Sequence, residues 1–594
     1  MFDKPLVTAL MIRRAIHGAT FRISALALIF STGSAAWALR YPDSKGVIFP
    51  WLFAIVLVIA AAMQHDGFAI RQPWFTREKL RKSCLEIGSV AALTLLGFGL
   101  RLYRLSDLLP PFHGDEGEMG VWARTVLEGP HWVPYFGTGW MDHPLLFHYL
   151  QAGSLALFGD DGAGLRMLSV VFGSLCIPLV YAIGRTGWGP VAGYAAAASM
   201  AVSHLSIQYS RIALNNIESV WAMCLAMLLL VRMSSTEKES FVRRWPMTQH
   251  ASLGLVLGLS QYLYYGSRLA IILAGALLLI LWRQRRSSLR CIAMTIAAGL
   301  VAVMPQLWCY ARFPAALLNR SLGVWAFSDG NVAHALGPGA SLPHDFGRLV
   351  LFQLSQTLGF FVSRGDASGF YTSSIPAFDA VTIVFFWFGL LCVLGRLRRF
   401  QEIVLFAWFG LGVLFAGILT IDQPNGPRLI MMVPAVFLIA GAGVHFLYEK
   451  GLRVLPRQWL WGVAAAAWIS ILVTNLHLYF VDYANQSHGM LPARIADEFR
   501  ASPGYRNYLM GEPALRSNHG TLRFLAPAAH LIDATLPEEV SALPDEGLLL
   551  IVLPHRIAQL ISVQSRFPGG ETSQVSDRDG NMLYVVYRRL PQKQ

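Results

Sequence analysis

Charge is scarce in this chain. Of its 594 residues only 14% are Asp, Glu, Lys or Arg, where a soluble domain carries about a quarter. Hydrophobic residues make up 55%, and the mean hydropathy is +0.47. A soluble globular protein is excluded. Cysteine is also sparse: Cys84, Cys176, Cys224, Cys291, Cys309 and Cys392 all lie in or at the ends of apolar stretches. That excludes a disulfide framework in the polar segments, and no spacing among the six forms a metal site. The first apolar stretch lacks a small-residue cleavage site and is followed by others, so it reads as an anchor and not a cleaved signal. No internal repeat and no Gly-rich phosphate loop is present.

What is present is a succession of stretches long enough to cross a bilayer. They fall near 19–39, 47–64, 86–105, 167–184, 190–209, 215–232, 250–265, 267–282, 291–309, 378–394, 403–420, 429–447 and 458–479, with a bend expected at Gly266. The net charge of +13 is concentrated in short connections. These hold Arg71, Arg77, Lys79, Arg81 and Lys82; Lys238, Arg243 and Arg244; Arg283, Arg285, Arg286 and Arg290; Arg396, Arg398 and Arg399; and Lys450, Arg453 and Arg457. With these spans, all of them share one side with Lys4, Arg13 and Arg14. The positive-inside rule makes that side cytoplasmic. The positive charge is therefore an orientation signal, and no nucleic-acid partner is read into it. The large segments 106–166, 310–377 and 480–594 fall on the opposite side.

The first of these segments opens on Pro110-Pro111-Phe112-His113-Gly114-Asp115-Glu116-Gly117-Glu118. Carboxylates beside hydrocarbon are costly unless paired, solvated or bound, so they mark a candidate site. The plainer alternative is that they cap the next helix. Helical spacing follows at Val121–Gly129, then Trp132, Tyr135, Phe136 and Trp140, aromatics suited to the headgroup zone. The apolar run 144–158 is too short to cross and is expected to lie at the interface.

Isolated arginines on the same side interrupt the charge bias: Arg166, Arg211 in Tyr209-Ser210-Arg211, Arg268 in Tyr264-Tyr265-Gly266-Ser267-Arg268, and Arg428 in Asn425-Gly426-Pro427-Arg428. Singly, each reads as a headgroup anchor or salt-bridge partner. Together they suit an anionic group, because guanidinium forks match phosphate oxygens. Carboxylate with phosphate-binding arginines at a membrane surface suggests transfer from a lipid-linked phosphate, the carboxylate acting as base.

Several of these motifs resemble the bacterial membrane glycosyltransferases of the C-type fold, in the protein O-mannosyltransferase and lipid A aminoarabinose transferase superfamily. Asp115-Glu116 resembles the family's acidic signature, and Asp142-His143-Pro144-Leu145 its Lys-Pro-Pro-Leu element. Gly164-Leu165-Arg166-Met167-Leu168-Ser169 resembles its Arg-Leu-Pro-Ser stretch, and Tyr209-Ser210-Arg211 and Tyr264–Leu269 also fit. The similarity runs over about residues 86–450. It implies a polyprenyl-phosphate sugar donor and transfer at the periplasmic face of a bacterial inner membrane. Asp115 is then the catalytic base and Glu116 its orienting partner, donor contact or metal ligand. Asp142, His143, Arg166, Arg211, Arg268 and Arg428 are the expected substrate contacts. His143 stands where relatives often carry Lys. No cofactor is expected; a divalent metal, if present, would use Asp115 and Glu116. The acceptor class, whether protein, lipid or glycan, stays open. The loop 327–370 reads equally as an acceptor-site wall or as amphipathic packing.

The tail changes character after about residue 480. Residues 492–499 and 557–565 read as helices, and 507–510, 530–533, 548–553 and 582–587 as strands, which makes a small α/β domain. A lid, scaffold or acceptor-recognition role is expected of it. Gly254 and Gly258 share one helix face and read as helix packing. The chain thus divides into 1–84 with two extra spans, a transmembrane core 85–480 and a domain 481–594. The expected fold is a polytopic helical membrane protein of about thirteen spans, with its N-terminus inside and its C-terminus outside. A transporter or flippase for an anionic lipid is the alternative from another class.

The topology is testable directly. A reporter active only in the periplasm should be active when fused after Gln594 and silent after Arg290. The reverse pattern would place Asp115 in the cytoplasm and remove the polyprenyl-phosphate reading.

Overall fold

The computed structural model describes residues 4–67, 77–107, 111–129, 133–234, 246–371, 374–485, 490–511, 513, 515–543, 546–577 and 579–591, with side chains described from residue 18 in the first helix and from 83 in the third. Arg71, Pro110, Trp132, Lys238, Arg243 and Arg244, and the side chains of Lys4, Arg13, Arg14, Arg77, Lys79, Arg81 and Lys82, lie outside the described residues.

Each expected span is matched by a helix. In chain order these are α1 (Lys4–Arg40), α2 (Ile48–Asp66) and α3 (Arg77–Leu102); then α4 (Gly114–Glu128) and α5 (Leu145–Phe158) in the first large loop; then α6 (Gly162–Trp188), α7 (Pro190–Val202), α8 (Asn216–Ser234), α9 (Pro246–Leu259), α10 (Arg268–Arg283) and α11 (Leu289–Arg312). After α12 (Pro314–Gly323) and α13 (Leu342–Val362) come α14 (Ala380–Leu394), α15 (Phe400–Gly412), α16 (Val433–Gly451) and α17 (Arg457–His477). Among the described residues ten helices are long and apolar enough to cross a membrane. The difference from thirteen lies in α7, α9 and α14, of 13, 14 and 15 residues. α7 stops at Ser203, whose hydroxyl accepts from the amide of Ser206 and starts a separate turn, His204–Tyr209. α9 gives way to tight turns at Ser260–Tyr262 and Tyr265–Ser267, which is the bend expected at Gly266. α5 is 14 residues long, as expected of an interfacial helix.

Close backbone approach holds the bundle centre. A Cβ on Gly389 of α14 would lie 2.0 Å from the Ile439 carbonyl of α16, and one on Gly441 2.6 Å from the Ala192 carbonyl of α7. Gly254 and Gly258 of α9 face α11 in the same way, at 2.1 Å from Thr295 O and 2.5 Å from Gly299 O. Small residues allow such contact, and dispersion and backbone proximity replace the hydrophobic effect inside a bilayer. α8 and α16 are buried through most of their length, whereas α3 and α17 lie at the periphery.

The C-terminal segment forms α18 (Leu491–Arg500), α19 (Gly520–Leu525), α20 (Ile557–Arg566) and a five-stranded sheet. Its strands are β1 (Tyr505–Met510), β2 (Ile532–Asp533), β3 (Gly547–Val552), β4 (Glu571–Ser576) and β5 (Met582–Arg589), in the order β2-β1-β3-β5-β4. β1 is parallel to β2 and β3, while β5 is antiparallel to β3 and β4. β3 is buried on both faces, which explains its unbroken apolar run Leu548–Val552. Two elements have no counterpart in the sequence reading. β4 is a polar edge strand with no alternation to show it, and α19 is a six-residue helix without a periodic signal. One sheet face joins Phe112 and Ala123 of the first loop and Ala152 and Leu155 of α5 in a single apolar cluster with Phe499, Leu522 and Leu549.

Candidate active site

The acidic cluster is not a loop. α4 begins at Gly114, seven residues before the helical spacing expected at Val121, so Asp115 and Glu116 occupy its first turn. His113 is the cap: its Nδ1 accepts the Asp115 amide at 3.1 Å, and Glu116 Oε1 accepts the His113 amide at 3.1 Å. This is the reciprocal geometry of a capping box, with imidazole in place of a hydroxyl. Accepting at Nδ1 puts the His113 ring proton on Nε2.

The two neighbouring carboxylates have opposite surroundings. Glu116 is fully buried, and Arg166 donates to it twice, from Nε to Oε2 and from Nη2 to Oε1, each at 2.8 Å. The amide of Ala213 adds a third bond to Oε2 at 2.7 Å. Glu116 therefore has no lone pair to spare for substrate or cation. Glu116, expected as a catalytic or metal-binding residue, and Arg166, expected as a phosphate contact, form a buried ion pair, and Arg166 Nη1 is left buried without a partner among the described residues. Arg211 goes the same way: buried, it donates to the carbonyls of Arg101 and Tyr103 at 3.1 and 2.6 Å and of Arg104 at 3.1 Å, closing the C-terminal end of α3. Asp115 differs from all three. It is partly exposed, and its Oδ1 stands 3.6 Å from His113 Nδ1. Burial pushes its carboxyl above the ordinary aspartate range, and the charge of Arg320 pulls it back.

The remaining predicted contacts gather around Tyr265. Its hydroxyl donates to the carbonyl of Asp142 at 2.6 Å, its ring lies 5.4 Å from that of His143, and the Arg268 guanidinium sits over it at 4.9 Å. His143 is buried and its Nδ1 accepts from Asn215 Nδ2 at 3.1 Å, an amide oriented by a second bond to Leu263 O. Burial, with His148 and Arg320 nearby, lowers its pKa to about 3. The imidazole is neutral at physiological pH. Asp142 Oδ2 accepts from Asn319 at 3.2 Å.

Two apolar grooves flank this cluster. One, of about 1140 Å³, runs between α9, α10 and α11, with Leu257, Ile271, Ile296 and Leu307 in its walls. The other, of about 1030 Å³, is walled by Leu269, Ile272, Val324, Trp325, Phe415 and Met431, and carries Arg268, Arg320 and Arg428. Arg268 Nη1 donates to Ser321 Oγ at 3.1 Å, and Arg428 donates to the carbonyl of Ile421 with Asp422 4.0 Å away. Arg320 of α12 has no hydrogen-bond or ion-pair partner among the described residues, and its charge acts on Asp115, His143, Tyr265 and Arg428 alike. The sequence reading missed it. The signal that picked out the other arginines, an isolated basic residue in a segment opposite the basic loops, applies equally to Asn319-Arg320-Ser321.

The loop 310–377 is pinned by Asp366. This buried carboxylate accepts from Tyr209 Oη at 2.5 Å, Ser368 Oγ at 2.6 Å and the Gly426 amide at 2.8 Å. The pinning brings Phe370 to 4.2 Å from the His113 ring, so the loop forms a wall beside the cap of α4.

Residues 142–309 match the family model of dolichyl-phosphate-mannose-protein mannosyltransferases. The resemblance to C-type membrane glycosyltransferases is thus carried by the stretch that holds His143, Arg166, Arg211 and Arg268. Among curated proteins none matches the chain. Of solved structures, that of ArnT from Cupriavidus metallidurans bound to undecaprenyl phosphate is similar at 13% identity and a TM-score of 0.49, over 86% of this chain and 98% of that one. The Archaeoglobus fulgidus oligosaccharyltransferase tethered with an acceptor peptide aligns at 13% identity and 0.48, over 85% and 74%. Arabinosyltransferase EmbB from Mycobacterium smegmatis aligns at 14% and 0.38, over 68% and 34%.

The Glu116–Arg166 pair has a measurable signature. Arg166→Met should lower stability in detergent by about 3–5 kcal/mol, because it leaves a buried carboxylate unpaired. Glu116→Met combined with Arg166→Met should recover part of that loss in a thermal melt. A single variant as stable as the parent would show that the pair is dispensable.

Proposed function

We propose that this chain is a membrane glycosyltransferase that moves a sugar from a polyprenyl-phosphate donor to an acceptor hydroxyl at the outer face of a bacterial inner membrane. The observation that carries the reading is the second groove. Apolar walls suited to an isoprenoid chain end at Arg268, Arg320 and Arg428, and Arg320 also acts on Asp115. A lipid phosphate seated at these arginines puts its sugar on the Asp115 side. The family matched over residues 142–309 is itself described by a lipid-phosphate-linked sugar.

The chemistry is a single displacement. Asp115 takes the acceptor proton as the hydroxyl oxygen bonds to the anomeric carbon; the bond from that carbon to the phosphate oxygen breaks, and polyprenyl phosphate leaves. One displacement inverts the anomeric centre. The arginines stabilise the phosphate charge that grows as the bond breaks, and His143 contributes an N–H.

Asp115→Asn should abolish turnover while the purified protein still binds undecaprenyl phosphate. Near-normal transfer would move the base to another carboxylate, Glu118 being next along α4.

The acid limb of the pH–rate profile should lie above the ordinary carboxylate range, since Asp115 works only when deprotonated and its pKa is raised. Arg320→Gln removes a charge that lowers that pKa, so the limb should move to higher pH. A limb unmoved by Arg320→Gln would uncouple the two residues.

Arg268→Ala and Arg428→Ala should each weaken undecaprenyl phosphate binding by about 1.5–3 kcal/mol, the loss of one charged hydrogen bond. Unchanged affinity in both would reduce these side chains to headgroup anchors.

A further inference from the structure

Gly114, Gly117 and Gly120 recur every third residue and share one face of α4. α19 of the C-terminal segment lies against that face. A Cβ on Gly117 would stand 2.1 Å from the carbonyl carbon of Gly520, and one on Gly520 2.3 Å from Gly114 O. A Cβ on Gly120 would stand 2.6 Å from the Phe524 ring, and one on Gly114 3.0 Å from the imidazole of His519. Backbone thus meets backbone, and polar contacts fix the register. Thr521 Oγ1 donates to Phe112 O at 3.2 Å, Arg523 pairs with Glu118 at 3.1 Å, and Arg124 donates to Phe524 O at 3.0 Å. Phe112 and Phe524 stack at 5.7 Å. These bonds all tie the domain to the helix that bears Asp115. His519 adds a second kind of observation. Its ring covers the bare Cα of Gly114, its Nδ1 is buried without a partner among the described residues, and burial lowers its pKa.

We infer that the C-terminal domain is a working part of the active site: it clamps α4 through the glycine face, and His519 is a positioning residue that holds the helix end carrying Asp115. The inference rests on the transferase reading above. Arg268, Arg320 and Arg428 sit on α10, on α12 and on the turn before α16, none of which bears the clamp. The clamp therefore governs turnover and leaves lipid-phosphate binding alone.

The test uses the full-length protein in a deletion strain. The lipid or glycan species lost on deletion, found by mass spectrometry, is the readout of turnover. Hydrogen exchange over residues 519–525 reports docking, and undecaprenyl phosphate binding reports the groove. Gly117→Ala should cut protection of 519–525 by about tenfold and the product by about tenfold or more. Undecaprenyl phosphate affinity should stay within about twofold. His519→Ala should lower turnover with docking retained, and His519→Phe, which keeps a ring over Gly114, should restore most of it. Rescue by Phe ties the effect to the ring packed on the start of α4. The inference is overturned if Gly117→Ala stays docked, if it undocks and still makes wild-type product, or if His519→Ala is as active as the parent. Should Gly117→Ala fail to fold and lose lipid binding, the His519 pair alone decides. A deletion strain with unchanged lipids and glycans would sink the transferase reading itself, a result separable from any effect of docking.

Discussion

The end of the bundle that carries α4 depends on one buried carboxylate. Glu116 is enclosed beside hydrocarbon, and a carboxylate there is tolerable only if every lone pair is met. Arg166 from α6, the Ala213 amide from the segment before α8 and the His113 amide from the cap of α4 meet them. Three stretches distant in sequence are thereby held in one register. That register places Asp115, one residue earlier, with its side chain on the open side of the same helix turn. The residue whose lone pairs are all taken sets the position of the one whose carboxylate stays open.

The arginines divide by the same rule. A guanidinium has five donors, and a buried one spends most of them on the protein. Arg166 gives Nε and Nη2 to Glu116 and keeps Nη1 buried without a partner among the described residues, and Arg211 donates to the carbonyls at the end of α3. Arg268, Arg320 and Arg428 stand on a groove rim and keep donors in hand. The charge of Arg320 holds Asp115 closer to its ionised form than burial alone would allow.

Burial at the domain junction follows from the smallest side chain. Three glycines on α4 and one at the start of α19 let two backbones touch, and the Glu118–Arg523 ion pair and the bond from Arg124 to Phe524 O close the rim. The apolar cluster under the sheet runs on into α5, so the domain and the first loop share a core. A fold of this kind couples the tail to the helix of Asp115 through packing.

Much of this was legible in the residues alone. Span positions follow from apolar length, and each of them is a helix in the structure, because backbone polar groups inside a bilayer have no other partners. The acidic cluster at Asp115 and the exceptional arginines stood out because charge is so rare here. The glycine spacing 114, 117, 120 was visible too, yet it says nothing until a partner helix is seen against it. What only the tertiary structure decided is which of these groups is free. Glu116 and Asp115 are neighbours of one chemical type, and so are Arg166 and Arg268. Whether each is saturated or available depends on donors and acceptors brought from far along the chain. No local pattern encodes that, since hydrogen-bond satisfaction is a property of the three-dimensional neighbourhood and not of the segment.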